Sequence, residues 1–276
     1  MTLSHATALP KMMTGTQYME YYNLGRVLDG NEPYFTQEQI DMTSNGDPND
    51  GLENTDWTAP LYRTTTMQQH SVSVNGGNKK VRYFISGGYL SQNGIIEGHN
   101  YSKTSFRSNV EATPIENMKI ALNLGGWVSD NYIPGGYSYE NQKSYSIFHQ
   151  MLYSLPFVPQ EINGQPVSGY RTKNTAANPL YGSAHSGFQE TKTVKVETSA
   201  RAEYSFPFLK GLKASMFFSW DWRNQNGKTF SYSYKVLAPD SFGSTSYSWQ
   251  DAANLLKDKN MYKGETMVQQ VVIRPQ

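Results

Sequence analysis

Apolar and polar residues alternate with a period of two along most of the chain from about residue 66 onward. Val81, Tyr83, Ile85, Gly87 and Tyr89 share one face, and Arg82, Phe84, Ser86, Gly88 and Leu90 the other. In 101–113, Phe106, Val110 and Ala112 oppose Lys103, Arg107, Asn109 and Glu111. In 117–130, Met118, Ile120, Leu122, Leu124 and Val128 alternate with Lys119, Asn123 and Ser129. Two later segments are longer. Val194 to Phe206 sets Val194, Val196, Ala200 and Ala202 against Lys195, Glu197, Arg201 and Glu203. Leu212 to Arg223 sets Met216, Phe218, Trp220 and Trp222 against Lys213, Ser215, Ser219 and Asp221. Phe230, Tyr232, Tyr234 and Val236 extend that row, and a weaker strand covers 268–273. Period-two alternation of this kind predicts strands with one apolar and one polar face.

Before residue 66 the pattern is different. Thr14 is placed to cap a helix through Gln17, Tyr18, Tyr21, Tyr22 and Leu24, and Thr36 begins a second short one. Ser44 to Gly51 is a turn cluster. The chain thus divides into a helix-and-loop lead-in, 1–65, and an all-β region, 66–276. The links at 75–78, 113–115 and 207–211 are short, whereas 92–100 and 131–189 are long. Strand length and link size together fit a membrane barrel, whose spanning strands need about 9–11 residues and whose turns alternate short and long. Clusters at Tyr83 and Tyr89, Tyr101 and Phe106, Trp220 and Trp222, and Phe230 to Tyr234 suit aromatic girdles at strand ends. A water-soluble sandwich also alternates, so periodicity alone leaves both architectures open.

Composition narrows the function classes. The chain has 276 residues, 37% hydrophobic and 13% aromatic, with only 17% charged and a net charge of +1. That balance leaves no polyelectrolyte footprint for nucleic acid. No apolar run approaches the 20 or so residues of a membrane helix. Zero cysteines exclude thiol chemistry and disulfides. Residues 1–10 lack the basic and apolar regions of a signal peptide. The five histidines are scattered, with no metal-ligand spacing. Gly227, Lys228 and Thr229 mimic the end of a P-loop, but Trp222 stands where its first glycine belongs. Asn45, Asp47, Asn49 and Asp56 fall at calcium-loop positions, yet Gly51 stands one place late and no bidentate glutamate follows. The residues point to no enzyme, no metal and no cofactor.

One stretch carries specific wording. Asn54, Thr55, Asp56 and Trp57 precede a hairpin at 71–77. Then come Gly88-Tyr89 leading to Gly94-Ile95-Ile96, and Phe106-Arg107 with Asn109. With the lead-in at 15–23 and 38–40, Asn178-Pro179 and 206–212, this wording resembles the SusC/RagA family of TonB-linked outer-membrane transporters over most of residues 14–225. The resemblance implies a partial antiparallel transmembrane β-barrel, about eight strands of the roughly 22 such transporters have. It further implies the outer membrane of a Gram-negative bacterium and uptake of glycans or peptides. The partners implied are TonB (through a plug domain not readable upstream of Asn54), a SusD-like surface lipoprotein lid and outer-membrane lipid. The family's terminal aromatic strand is not readable at 271–276, so an internal piece is expected, one that aggregates when taken alone.

The long link 131–189 becomes an extracellular loop in that reading. It holds Tyr132, Tyr137, Tyr139, a short helix through Tyr145, Phe148, Leu152 and Leu155, then Tyr170, Arg171 and Asn178. Aromatic faces stack on sugar rings and peptide side chains, and Asn and Arg supply hydrogen bonds. Tyr137, Tyr139, Tyr170, Arg171 and Asn178 are therefore the substrate-binding candidates; packing of the loop on itself explains them equally well. A soluble carbohydrate-binding or adhesion module is the alternative function. It would bury Trp220, Trp222, Val194 and Val196. The direction of the chain after residue 225 is ambiguous: either 224–227 turns, or the strand continues and the chain returns through 265–274.

Overall fold

A computed structural model of the chain describes residues 2–5, 11–135, 147–170, 177–209, 211–231, 234–251 and 262–275. Its frame is an antiparallel sheet of eight strands: β1 (Thr2–Ser4), β2 (Thr65–Gly77), β3 (Val81–Asn93), β4 (Asn100–Ala112), β5 (Met118–Pro134), β8 (Gly187–Ser205), β9 (Lys213–Ser231) and β12 (Tyr262–Pro275). They lie in sequence order across the sheet, each paired with the next. The order begins at β1 and ends at β12 without returning on itself. It is a partial barrel wall with two edges.

The register makes one face continuous. On it His70, Tyr89, Thr104, Val128, Val194 and Asn224 form one level. The next level holds Val72, Gly87, Phe106, Gly126, Val196 and Trp222; the one after it Val74, Ile85, Ser108, Leu124, Thr198 and Trp220. Phe106 thus sits between two glycines, which leave room for its ring. This apolar face is uncovered: Val72 is 70% exposed and Leu122 47%. Trp220 and Trp222 are half-buried on the sheet surface and enter no core. A sandwich would lay a second sheet over this face. Among the described residues the only further strands are two short hairpins, β6 (Glu161–Ile162) with β7 (Gln165–Pro166) and β10 (Lys235–Pro239) with β11 (Tyr247–Asp251), both belonging to the cap described below.

The apolar rows stop at a polar level, Gln68, Ser91, Ser102, Asp130, Lys192 and Asn226, where Lys192 Nζ lies 3.8 Å from Asp130 Oδ2. From Met118 to Val128 the apolar stretch of β5 spans roughly 33 Å at about 3.3 Å per residue. Tilted by about 40° it covers about 25 Å, the height of a lipid-facing band. The expected aromatic girdle is only partly seen. Tyr89 does lie at a limit of the band, level with Val128, but Tyr83 is level with Leu122 near its middle. Trp220 is likewise level with Leu124 in its middle, and Tyr101 and Phe106 fall on opposite faces because their separation is odd.

All short turns lie at one end. At 77–81 the backbone doubles back so tightly that Gly77 (φ 148°) has the Val81 carbonyl where a Cβ would stand. The long links meet at the other end and fold together into the cap. Its helices are α1 (Gly15–Leu28), α2 (Gln37–Asn45), α3 (Ile147–Tyr153) and α4 (Pro179–His185). Thr14 with Gln17, and Thr36 with Gln39, form reciprocal capping boxes that start α1 and α2 where the sequence places them. The core of the molecule is here and not in the sheet: Met19, Phe35, Ile40, Leu52, Trp57, Ile147, Met151, Phe157, Val167 and Phe242 form one cluster.

Two expectations change, and the course left open after residue 225 is resolved. The face α3 buries is Ile147, Gln150, Met151 and Ser154, so Leu152 is exposed where the sequence pattern suggested packing, while Leu155 is buried. Asn224 to Gly227 does not turn; β9 runs straight through it, pairing with β8 as far as Ser231. Val236 does not extend that strand but starts the β10 hairpin, wholly buried beside Tyr234. The chain then returns along β12, longer than the 268–273 read from the pattern. No helix among the described residues is long and apolar enough to cross a membrane, which says nothing about crossing by strands.

Candidate functional site

The other face of the sheet is polar, and its register builds rungs of functional groups. At the cap end the first rung is Gln92, Tyr101, Asn131, Thr191 and Gly227. The second holds Lys103, Ser129, Thr193 and Gln225; the third Ser105, Trp127, Lys195 and Arg223. The link between β3 and β4 folds over them, held by Gly94 N donating to the His99 carbonyl at 2.6 Å and by a 3.2 Å hydrogen bond between His99 Nε2 and Asn131 Oδ1. Together they enclose an open cavity of about 780 Å³ between the polar face and the cap.

The cavity combines aromatic rings with neutral hydrogen-bonding groups. Trp127 and Tyr101 are half-buried, and the Lys103 ammonium stands 4.8 Å from the Trp127 ring centroid, a cation–π contact. Arg223 is exposed and its Nη2 donates to Gln225 Oε1 at 3.1 Å, which fixes the direction of the guanidinium. Lys195 is bonded to Glu197 of the rung below. That fourth rung, Arg107, Gly125, Glu197 and Asp221, and a fifth, Asn109, Asn123, Ser199 and Ser219, line a second groove of about 440 Å³. There Asn123 Nδ2 donates to Ser199 Oγ at 3.1 Å.

The cap is built around the string at 54–57. Asn54 Oδ1 accepts from the Thr16 amide (3.0 Å) and hydroxyl (3.1 Å), at the start of α1. Thr55 N donates to the Pro156 carbonyl at 2.8 Å, and the buried Trp57 Nε1 to the Leu155 carbonyl at 3.0 Å. Gln160 Nε2 returns a bond to the Asp56 carbonyl at 2.9 Å. The string thus ties lead-in and long loop into one body. Burial pulls the Asp56 carboxyl upward, but bonds from the Thr58 hydroxyl and the Thr58 and Ala59 amides outweigh it and hold the group below its ordinary value. Glu53 is pushed up, by burial first and then by Asp47 and Glu161. Tyr234, packed against α4, is pushed up to about 12, chiefly by burial.

The sequence-derived candidates fare unevenly. Tyr137, Tyr139 and Arg171 lie outside the described residues. Tyr170 is half-buried in the cap, its amide donating to Ser168 Oγ at 3.3 Å. Asn178 is 2% exposed and engaged within the protein: its Oδ1 caps α4 through the Leu180 and Tyr181 amides, and its Nδ2 donates to the Gln160 and Val167 carbonyls. It also borders a cavity of about 460 Å³ in the cap, beside Glu53, Asp56 and Glu161. Among the described residues no group of three or more histidine, aspartate or glutamate side chains could hold a metal. Sequence reasoning passed over Tyr101, Trp127 and Arg223. Their signal was present as inward positions on alternating strands, but only the register brings them to one place.

No family model matches the chain. Known receptors do. It is 22% identical over 211 residues to TonB-dependent receptor P3 of Formosa agariphila, covering 75% of this chain and 21% of that protein. It is 39% identical over 64 residues to TonB-dependent receptor SusC of Bacteroides thetaiotaomicron, covering 23% of this chain and 6% of SusC. In fold it is similar to the RagAB peptide importer in its closed-closed state (TM-score 0.55, 21% identity, 85% of this chain and 27% of that one). A second structure, of the RagAB peptide transporter, gives a TM-score of 0.59 at 18% identity, over 82% and 27% of the two chains. The chain spans about a fifth of the P3 receptor and about a quarter of those solved chains. The SusC/RagA resemblance read from residues 14–225 is thus matched by similarity in sequence to these receptors and by similarity in fold to about a quarter of the RagAB chains.

Proposed function

We propose that this chain supplies barrel wall and extracellular cap to an outer-membrane importer of the SusC/RagA type, driven through TonB and working with a surface lipoprotein lid. The observation that carries the reading is the two-sided sheet. One face is apolar, uncovered and of membrane height, and the other carries rungs of polar groups, as a water-filled lumen requires. In this arrangement the short turns lie in the periplasm, and lead-in 1–65 and loop 131–189 form the outer surface. The cavity at the lumen mouth, floored by Tyr101, Trp127 and Arg223, meets a glycan or peptide on its way in. Tyr137, Tyr139, Tyr170 and Arg171 are carried as outer contacts of the same route, with no catalytic step. The two open edges call for further strands on either side, because unpaired edge groups in lipid cost several kcal/mol each.

Site-specific quenching tests the reading. With Trp220 and Trp222 as the only tryptophans in lipid vesicles, a quencher attached to acyl chains extinguishes their fluorescence, whereas Trp57 alone escapes it. A monodisperse, water-soluble monomer with unquenched Trp220 overturns the proposal in favour of a soluble binding module.

A further inference from the structure

The mouth cavity selects by charge. Among the described residues Arg223 is the one cation that lines it, and no carboxylate does; of the other cations on the rungs that floor it, Lys103 stands over the Trp127 ring and Lys195 is paired with Glu197 of the rung below. Its other polar side chains, among them Ser129, Asn131, Gln189, Thr191 and Thr193, are hydroxyls and amides, apart from the His99 imidazole, which is bonded to Asn131. Every strand of the floor is hydrogen-bonded on both sides, so no backbone edge is open for an extended peptide to join. A ligand must be read by side chains alone. Trp127 and Tyr101 offer flat faces, the neutral groups suit many hydroxyls, and Arg223 presents a fork that matches a carboxylate or sulfate.

We infer that this cavity binds an acidic saccharide, one sugar ring beside Trp127 or Tyr101 and its carboxylate or sulfate on Arg223. The inference rests on the importer reading and adds its substrate class. A peptide would bring an ammonium group to a lining that offers it no carboxylate, and a neutral glycan would leave the Arg223 fork unused.

The test is calorimetric titration of the complete receptor carrying this segment, in detergent, with a panel of uronate and sulfated oligosaccharides, neutral oligosaccharides of equal length, and acidic peptides. Acidic sugars bind best, and their affinity falls as salt rises. Arg223→Gln weakens acidic-sugar binding at least tenfold and by a larger factor than it weakens neutral-sugar binding, whereas Trp127→Ala weakens both alike. Arg223→Lys, which keeps the charge without the fork, recovers part of the loss and shows that folding is intact. The inference is overturned if no acidic sugar binds, if neutral sugars or acidic peptides bind as well, or if Arg223→Gln leaves acidic-sugar affinity unchanged. Uptake by whole cells separates the two levels. Import of a peptide or neutral glycan sinks the substrate class and keeps the importer, whereas acidic-sugar binding without energy-dependent uptake does the reverse.

Discussion

The sheet and the cap use hydrophobic side chains in opposite directions. In the cap, Trp57, Phe157, Met19 and Val167 are buried against one another, as in any water-soluble domain. In the sheet, Val72, Ile85, Leu122 and Phe218 point away from the protein, and the side facing the cap is polar. One region makes its own dry interior; the other leaves its apolar face uncovered, for lipid to cover in the importer proposed above. The low overall hydrophobic content follows, since only the cap and one face of the wall require apolar residues.

The largest expected effect separates the two regions from the cap side. Trp57→Ala removes a buried indole and its bond to the Leu155 carbonyl, and costs the cap about 3–5 kcal/mol. Hydrogen exchange should rise across 147–170 while the band of β5 and β8 stays protected. If both exchange together, cap and wall are one cooperative unit and the contrast is false.

From the wall side, Leu124→Arg in a lipid bilayer costs about 2–4 kcal/mol at mid-band, whereas Asn123→Arg, one residue away on the polar face, costs close to nothing. Denaturant titration in vesicles measures the difference. Equal costs would mean that both faces meet water.

A smaller effect probes the seam inside the cap. A Cβ on Gly15 would stand 2.7 Å from the Pro156 carbonyl oxygen and 2.8 Å from Phe157 Cα, so Gly15→Ala forces α1 off the long loop. The cost is about 1–3 kcal/mol, seen as faster proteolysis of 147–170, with no change in vesicle stability of the wall.

The smallest effect is electrostatic. Glu53 has a folded pKa raised above its unfolded value, so its contribution to stability is complete below the unfolded pKa and is lost as pH rises through the folded one. Asp56, held low, behaves oppositely and loses its contribution as pH falls through its folded value. Glu53→Gln should therefore raise cap stability at neutral pH by a few tenths to about 1 kcal/mol, the range of half-exposed charges, and flatten the pH dependence above the ordinary carboxylate value. Asp56→Asn should lower it. Thermal unfolding followed at pH 4 and pH 7 distinguishes the signs.

Much of this was legible in the residues. Alternation in 81–90, 118–128 and 194–204 needs only the two-residue repeat of an extended backbone, so strands and faces followed directly. Thr14 and Thr36 announce their helices because a cap is a local bond. The string at 54–57 marked the resemblance, though its job of clasping Leu155 and Pro156 lies a hundred residues away in sequence. Asn178 looked like a ligand contact because an amide in a loop is ambiguous; burial and four internal partners decide its role. The α3 face slipped by one residue since a short helix offers too few positions to fix its phase.

The chain by itself determined which side of each ribbon is greasy, because that depends on neighbours two positions apart. It could not say which ribbons stand side by side at which height, since pairing register is set by many weak bonds summed over whole strands. That register alone gathers Tyr101, Trp127 and Arg223 into one mouth, and joins the lead-in to the distant loop above it.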